Sequence, residues 1–491
     1  MEIGRLKIIG LIVIVISMYG CGKTNQLVAD PYFGNGVHNG WADQNSVVIW
    51  TRLTKNKEMN NAGKLFLIPS KEEHTKLAKT DNLEVINQAQ IPDGAVLDDM
   101  KGACPGISGE VKLTYFPKND PQNKTQKDWV KVDDDKNFTK QWKLENLSSG
   151  TDYVIEIEAR ANKNAAISDK VVGAFKTSPN KDQTENIDFC IVTCHDYIRK
   201  DDEKGHKIYE AMSKIKPDFY VHTGDIEYYD KPKPYALTEE LMRFQWDRLF
   251  ALPLQRSFWA NTTSYFMKDD HDVLKDDAFP GQTYGDVSWD RGLEIFEKEQ
   301  FPQHHKYYKT VRWGKDLQIW ITEGRKYRSK NSIPDGVNKT ILGEAQKQWL
   351  FKTIKESDAT FKVIILADPI LGPDRENKSD NHANVSFKTE GDQLRSFINQ
   401  YDNVFLCNGD RHWQYVTNLK DTNLWEFSCG PGSDSHAGGW KANDIRPEHK
   451  FLRVKGGFLK VNVSRSDDVA EITFSHCDVN GNIVNNKSFK R

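Results

Sequence analysis

Phe219-Tyr220-Val221-His222-Thr223-Gly224-Asp225-Ile226-Glu227-Tyr228 decides how this chain reads. Residues 219–222 have the length and composition of a short buried strand. Gly224-Asp225 stands at its end, where a glycine allows a sharp turn and a carboxylate can be aimed at a site. Upstream, the apolar run 187–193 closes on Thr193-Cys194-His195-Asp196. Between the two runs, Ile208, Met212 and Ile215 recur at helical spacing over 207–216. Strand, helix and strand in that order imply an α/β domain. The rhythm continues with strands expected at 317–322, 361–366, 404–407 and 458–463. An amphipathic helix is expected at 342–355, with Trp349 and Leu350 facing inward.

Before residue 180 the pattern is different. Residues 46–53 read as a strand, and Tyr153, Ile155, Ile157 and Ala159 alternate as in a half-buried strand. Ser178-Pro179-Asn180 punctuates the end of this region. No long helical stretch appears there, so a small β-sandwich is expected. Leu-x-x-Leu-x-x-Gly-Thr-x-Tyr, from Leu144 to Tyr153, followed by Phe175-Lys176-Thr177, resembles a fibronectin type III module. Residues 86–107, with Pro92, Gly94 and Gly102, break the pattern and read as a loop insertion. The division expected is a leader at 1–21, an N-terminal β domain at 22–180 and an α/β domain at 181–491.

Charge and cysteines narrow the setting. The chain has 491 residues and a formal charge of −2, so no global basic field points to nucleic acid. Arg5 and Lys7 precede the apolar run 8–16, and Cys21 follows Gly20. That run is short for a spanning helix, which needs about 20 apolar residues. It resembles a bacterial lipoprotein signal, which would lipidate Cys21 and hold an exported protein on the periplasmic or cell-surface side of a membrane. A plain secretory signal or an uncleaved anchor is the alternative. The other six cysteines show no framework spacing. Oligomeric state is left open.

The chemistry collects at strand ends. Asp225 reads as a bridging carboxylate or as a turn cap. Asp269-Asp270-His271-Asp272 offers a hard oxygen ligand beside a proton donor, or simply an acidic turn. Asp410 and His412, two apart after the run 404–407, point the same way if the strand continues, as metal ligands do. Cys194 is a soft ligand or a buried, inert thiol. Tyr228 is a phenolate ligand or a packed tyrosine; with a thiolate beside it, it would favour a trivalent iron.

In order, these pieces resemble the alkaline phosphatase D (PhoD-like) family of calcineurin-like metallophosphoesterases. The resemblance rests on Thr193-Cys194-His195-Asp196-Tyr197, Gly224-Asp225-x-x-Tyr228, Asp269-Asp270-His271-Asp272 and Gly409-Asp410-Arg411-His412. The segment Leu342-Gly343-Glu344-Ala345-Gln346-Lys347-Gln348-Trp349-Leu350 adds to it. It implies a metallophosphoesterase β-sandwich flanked by helices, behind the all-β N-terminal domain. It implies two or more metal ions, iron and calcium, with other divalent metals possible. Cys194, Asp225, Tyr228, Asp270, Asp410 and His412 would be ligands, and His271 would protonate the leaving alkoxide. A metal-bound hydroxide would attack a phosphate ester in line. Arg325, in Glu323-Gly324-Arg325-Lys326-Tyr327-Arg328, would hold a phosphate oxygen or serve a structural ion pair. His195 and Asp196 are possible extra ligands, Asp368 stands in for a further metal segment, and Arg411 would clasp an anion or point to solvent. The competing reading is a surface protein that binds glycan or lipid on the same scaffold, without catalysis or with a specialised one.

Overall fold

The computed structural model describes residues 29–302 and 307–491. The leader expected at 1–21, with Cys21, lies outside the described residues. Among the described residues no helix is long and apolar enough to cross a membrane.

Two large sheets pack face to face. One is six-stranded, in the order Thr263–Phe266, Phe219–His222, Ile187–Val192, Phe458–Ser466, Val469–Cys477, Ile483–Lys490. Its first three strands are parallel and the rest antiparallel. The other is seven-stranded, in the order Lys309–Trp313, Leu317–Ile321, Phe361–Leu366, Val404–Asn408, Trp425–Cys429, Gln414–Asn418, His449–Arg453. The strands from Leu317–Ile321 to Trp425–Cys429 in that order run parallel.

Alternation along each strand sets its two faces. Phe219, Val221, Phe189 and Ile191 enter the core between the sheets, where they meet Ile319, Val363, Ile365, Phe405 and Phe474. Tyr220 and Cys190 turn to the outer face and pack under Lys207–Ile215, Glu239–Phe250 and Pro253–Asn261. Glu344–Glu356 and Lys388–Ile398 cover the far face of the second sheet through Leu350, Ile354, Leu394 and Ile398. With both faces covered, the central strands are largely apolar, and Phe361–Leu366 is buried at every position, Lys362 included. The expected α/β architecture, a β-sandwich flanked by helices, is what these layers form. Trp349, expected to face inward, is only partly buried and packs on Tyr308.

The N-terminal region has two antiparallel sheets of its own. Val37–Gly40, Val47–Arg52 and Thr139–Leu144 make one. Gly109–Pro117, Asp152–Arg160 and Asp169–Lys176, with the short Thr125–Gln126 and Val130–Val132, make the other. Tyr153, Ile155, Ile157 and Ala159 are buried between them and Ser148 N donates to Tyr153 Oη at 2.9 Å. The segment between Arg52 and Gly109 departs from an all-β reading. It carries the helices Lys71–Leu77 and Leu83–Gln88, the first closed by a Ser70–Glu73 capping box. Met59, Phe66, Leu77, Ile86 and Met100 of this segment join the helical core beside Glu239–Phe250. Beyond Gln88 the expected loop insertion carries no strand up to Gly109, only the short 3-10 turn Leu97–Asp99, and Met100 anchors it in that core.

Candidate metal centre

The parallel strands of both sheets deliver their C-terminal ends to one region, where α/β sheets bind ligands. Ile187–Val192 leads to Cys194, Phe219–His222 to Asp225 and Tyr228, Thr263–Phe266 to Asp269, Asp270 and His271, and Val404–Asn408 to Asp410 and His412. Three of these turns hold a non-glycine residue in the left-handed region: Cys194 at φ 53°, Asp225 at 54° and Asp410 at 57°. Such a conformation costs on the order of 1 kcal/mol per residue and persists where surrounding contacts fix it. Gly224 and Gly409 make the close approach possible. A Cβ on Gly224 would lie 2.6 Å from the backbone nitrogen of Asp269, and one on Gly409 would lie 2.1 Å from Thr223 Oγ1.

The donor atoms form overlapping groups with a shared member. Cys194, Asp225 and His412 offer atoms within 4.8 Å of one another, as do Asp225, Asp270 and His271, and Asp225, Asp269 and Asp410. Asp225 belongs to all three. The Cys194 thiol donates to Asp225 Oδ2 at 3.5 Å, Tyr228 Oη donates to the same oxygen at 3.1 Å, and Tyr228 Oη lies 3.3 Å from His412 Nε2. Each of the six ligand candidates named from the sequence is therefore in one cluster or in contact with it.

The electrostatics fit a cation. Asp225 Oδ1 and Asp269 Oδ2 are buried without a hydrogen-bond partner among the described residues, and Asp410 Oδ2 is ion-paired with Arg411 at 2.7 Å. Burial and then neighbouring carboxylates raise Asp225 well above the usual carboxylate range, against the pull of His271. Burial pushes Asp410 up to about 7 although Arg411 opposes it. Burial, then Asp225 and Asp410, hold the Cys194 thiol protonated. Crowded carboxylates and a thiol that prefer their protons in isolation are what a metal ion would convert to charged ligands. Thiol, phenol and imidazole gather at Cys194, Tyr228 and His412, while oxygen donors gather at Asp225, Asp269, Asp270 and Asp410, so the residues present fit two kinds of ion.

A cavity of about 510 Å³ opens on this cluster, lined by Asp225, Tyr228, His271, Asp410 and His412 with Arg199, Lys231, Arg375, Lys378, Trp413 and His436. His271 Nδ1 sits 2.7 Å from Asp230 Oδ1. Burial disfavours its imidazolium, but Asp230, Asp270 and Asp225 together raise it well above the ordinary histidine value. Burial and then the charge of His271 both lower His412, holding it neutral, down to about 3.

Several sequence expectations change here. Arg325 is not a cavity residue. Its Nε is ion-paired with Asp269, and its Nη2 lies 3.5 Å from Asp270 and 3.4 Å from Asp368. It is 1% exposed, so its place is the structural alternative rather than an open phosphate clasp. Asp368 also meets Arg328 at 3.2 Å and is consumed by these arginines. Arg411 neither reaches solvent nor faces the cavity wall: it is buried against Asp374, Asp380 and Asp410 at 3.0, 3.1 and 2.7 Å. His195 turns away from the cluster to Tyr209 Oη and His222 Nε2, at 3.0 and 3.1 Å. Asp196 caps Ile198 N and pairs with Arg199.

Other residues gain roles that the sequence reading did not give them. Asp272 accepts from the backbone nitrogens of Asp225, Ile226, Glu227 and Asp269, at 2.7, 2.8, 3.1 and 2.8 Å. It ties two of the site's turns together. Asp230 orients His271. His436, whose Nδ1 donates to Cys194 O at 3.0 Å, packs its ring at a 49° tilt on His412, the centroids 4.2 Å apart. Its loop follows the parallel strand Trp425–Cys429, and that position is the signal that would have found it.

Residues 295–470 match the family model of the PhoD-like phosphatases. Arg325, Asp410 and His412 lie inside that PhoD-like segment, whereas Cys194, Asp225, Tyr228, Asp270 and His271 lie before it. Alkaline phosphatase D of Bacillus subtilis (strain 168) is 22% identical over 368 residues, which cover 60% of this chain and 60% of that protein. A solved PhoD structure superposes with a TM-score of 0.67 at 16% identity, covering 93% of this chain and 90% of that one. Purple acid phosphatase PPD1 from yellow lupin (Lupinus luteus) seeds superposes at 0.58 and 10% identity, covering 92% and 73%. These two likenesses show a shared fold.

Proposed function

We propose that this chain is an exported, metal-dependent phosphoric ester hydrolase, an alkaline phosphatase or phosphodiesterase of the PhoD-like kind. The observation that carries the reading is the position of Asp225 in all three donor groups, between the Cys194–His412 side and the Asp270–His271 side. A carboxylate shared in this way suits a bridging ligand. Cys194, Tyr228 and His412 would hold a trivalent iron, and Asp269 or Asp270 with Asp410 a hard divalent ion such as calcium. When bound, such ions polarise phosphoryl oxygens and make a water molecule a nucleophile at neutral pH.

The protein's own groups complete the site. Asp230 fixes His271 through Nδ1, which leaves Nε2 to deliver a proton to the departing oxygen. Displacement in line with that oxygen needs such a donor on the leaving-group side. Asp272 holds the Asp225 and Asp269 turns in register, so the carboxylates meet the substrate preorganised. Arg325 compensates Asp269, Asp270 and Asp368, which would otherwise repel one another.

Export with a lipid on Cys21 is part of the proposal and rests on the sequence pattern of residues 5–21 alone. The test of function is hydrolysis of an aryl phosphate monoester and diester before and after chelation and metal restoration. Turnover that chelation removes and metal restores is expected. No turnover of either ester with any added metal would shift the reading to a binding protein or a specialised substrate.

A further inference from the structure

The cavity beside the donor cluster carries more positive charge than one phosphoryl group requires. Arg199, Lys231, Arg375 and Lys378 all line it. Three of them already have carboxylate partners: Arg199 with Asp196 at 3.3 Å, Lys378 with Asp380 at 3.0 Å, and Lys231 with Asp230 at 3.8 Å. Asp276 also lines the cavity, 3.8 Å from His271 Nε2.

Arg375 differs. Among the described residues its one carboxylate contact is Nε to its neighbour Asp374 at 3.5 Å. Asp374 is already engaged: Oδ1 accepts from Arg375 N at 2.7 Å, and Oδ2 accepts from Asn381 Nδ2 at 2.7 Å and pairs with Arg411 at 3.0 Å. Among the described residues no hydrogen bond or ion pair engages Arg375 Nη1 or Nη2, and Nε is buried without a hydrogen-bond partner. The guanidinium is nonetheless held in place. It lies over the Trp413 ring, 5.5 Å from the centroid, and Trp413 packs in turn on Trp440. Gly439 leaves the space: a Cβ there would stand 3.0 Å from Arg375 Nη1 and 3.3 Å from Trp413 Cζ3. Trp413 directly follows His412, so this fork is built onto the donor cluster itself. A stacked guanidinium with free donors in a cleft is suited to bidentate capture of an oxyanion.

We propose that Arg375, assisted by Lys378 on the same turn of the cavity wall, binds a second anionic group of the substrate, a phosphate or carboxylate carried beyond the scissile phosphoryl group. The inference rests on the hydrolase reading above and specifies its substrate class: phosphate esters with an additional negative charge.

The probes are short α,ω-alkane bisphosphonates, each compared with the alkyl monophosphonate of the same length. Binding to the metal-loaded protein is measured by calorimetry, beside hydrolysis of an aryl phosphate. In the unaltered protein the second phosphonate should tighten binding about tenfold at the best chain length, as one charge-assisted pair does. Arg375→Gln should erase that gain, and Arg375→Lys should restore part of it, which a purely packing role on Trp413 would not predict. A gain that survives Arg375→Gln, or no gain at any length, overturns the proposal. The two readings separate: bisphosphonate preference without ester hydrolysis faults the hydrolase, whereas hydrolysis without preference faults the second anion site.

Discussion

Asp230 Oδ1 lies 2.7 Å from His271 Nδ1, and this pair determines when His271 carries a proton. Asp230 is the strongest of the carboxylates that raise His271 against burial. Neutralising it removes that support, so the imidazolium is lost at lower pH. If His271 is the general acid, Asp230→Asn should move the alkaline limb of the kcat/KM profile to lower pH. Its loss of kcat/KM should be confined to the alkaline side of the profile. His271→Ala should cost about a hundredfold or more. An alkaline limb unchanged in Asp230→Asn would remove His271 from that role.

Asp225 belongs to all three donor groups, so its loss should be felt by both ions. Asp225→Asn should lower bound metal, measured by elemental analysis, and abolish ester hydrolysis. Tyr228→Phe is the more selective change: with iron loaded, a phenolate ligand gives a visible charge-transfer band, which this variant should lose while keeping the oxygen-donor ion. Full metal content and full turnover in Asp225→Asn would exclude it as a ligand.

Much of this site was legible because strand ends announce themselves. Asp225 and Asp410 each follow a buried run and a glycine, and Cys194 closes such a run directly. Thr263–Phe266 was harder. It is four residues long and begins with Thr263 and Ser264, so no apolar run marks it, and Asp270 was read as belonging to a loop. Asp272 and Asp230 look like members of an acidic turn in sequence. What separates them is the direction of each carboxylate, toward backbone nitrogens or toward an imidazole, and that is set by the packing of three strands. Arg325 and Arg411 illustrate the converse. Arginine beside a phosphatase-like motif suggests anion binding, but both guanidiniums are buried and ion-paired with aspartates distant in sequence, Asp269 and Asp380 among them.

Arg325 gives a prediction that separates structure from binding. Its side chain is 2% exposed and faces Asp269, Asp270 and Asp368. Removing one partner of a buried charge cluster strands the others, at a cost of about 3–5 kcal/mol. Arg325→Gln should therefore lower the urea midpoint of unfolding by that equivalent, in metal-loaded as well as chelated protein. A stable variant whose only defect is a raised KM would return Arg325 to the phosphate-clasp role.

His38 makes the chain's acid sensitivity testable away from the metal centre. It is wholly buried, stacked 4.5 Å from Trp50, and neither ring nitrogen has a hydrogen-bond partner among the described residues. Burial holds it neutral, down to about 3. In the unfolded chain it protonates below about pH 6.5. Between those values the unfolded state binds the extra proton, so stability present above about pH 6.5 is lost as pH falls toward the folded value. One such group contributes a slope of about 1.4 kcal/mol per pH unit over that window. His38→Phe keeps a ring on Trp50 and removes the proton. The variant's unfolding free energy should fall less steeply between pH 6 and pH 4, by about that slope, with a change within about 1.5 kcal/mol at pH 7. Parallel stability curves for the two proteins would show that His38 is not held neutral in the fold.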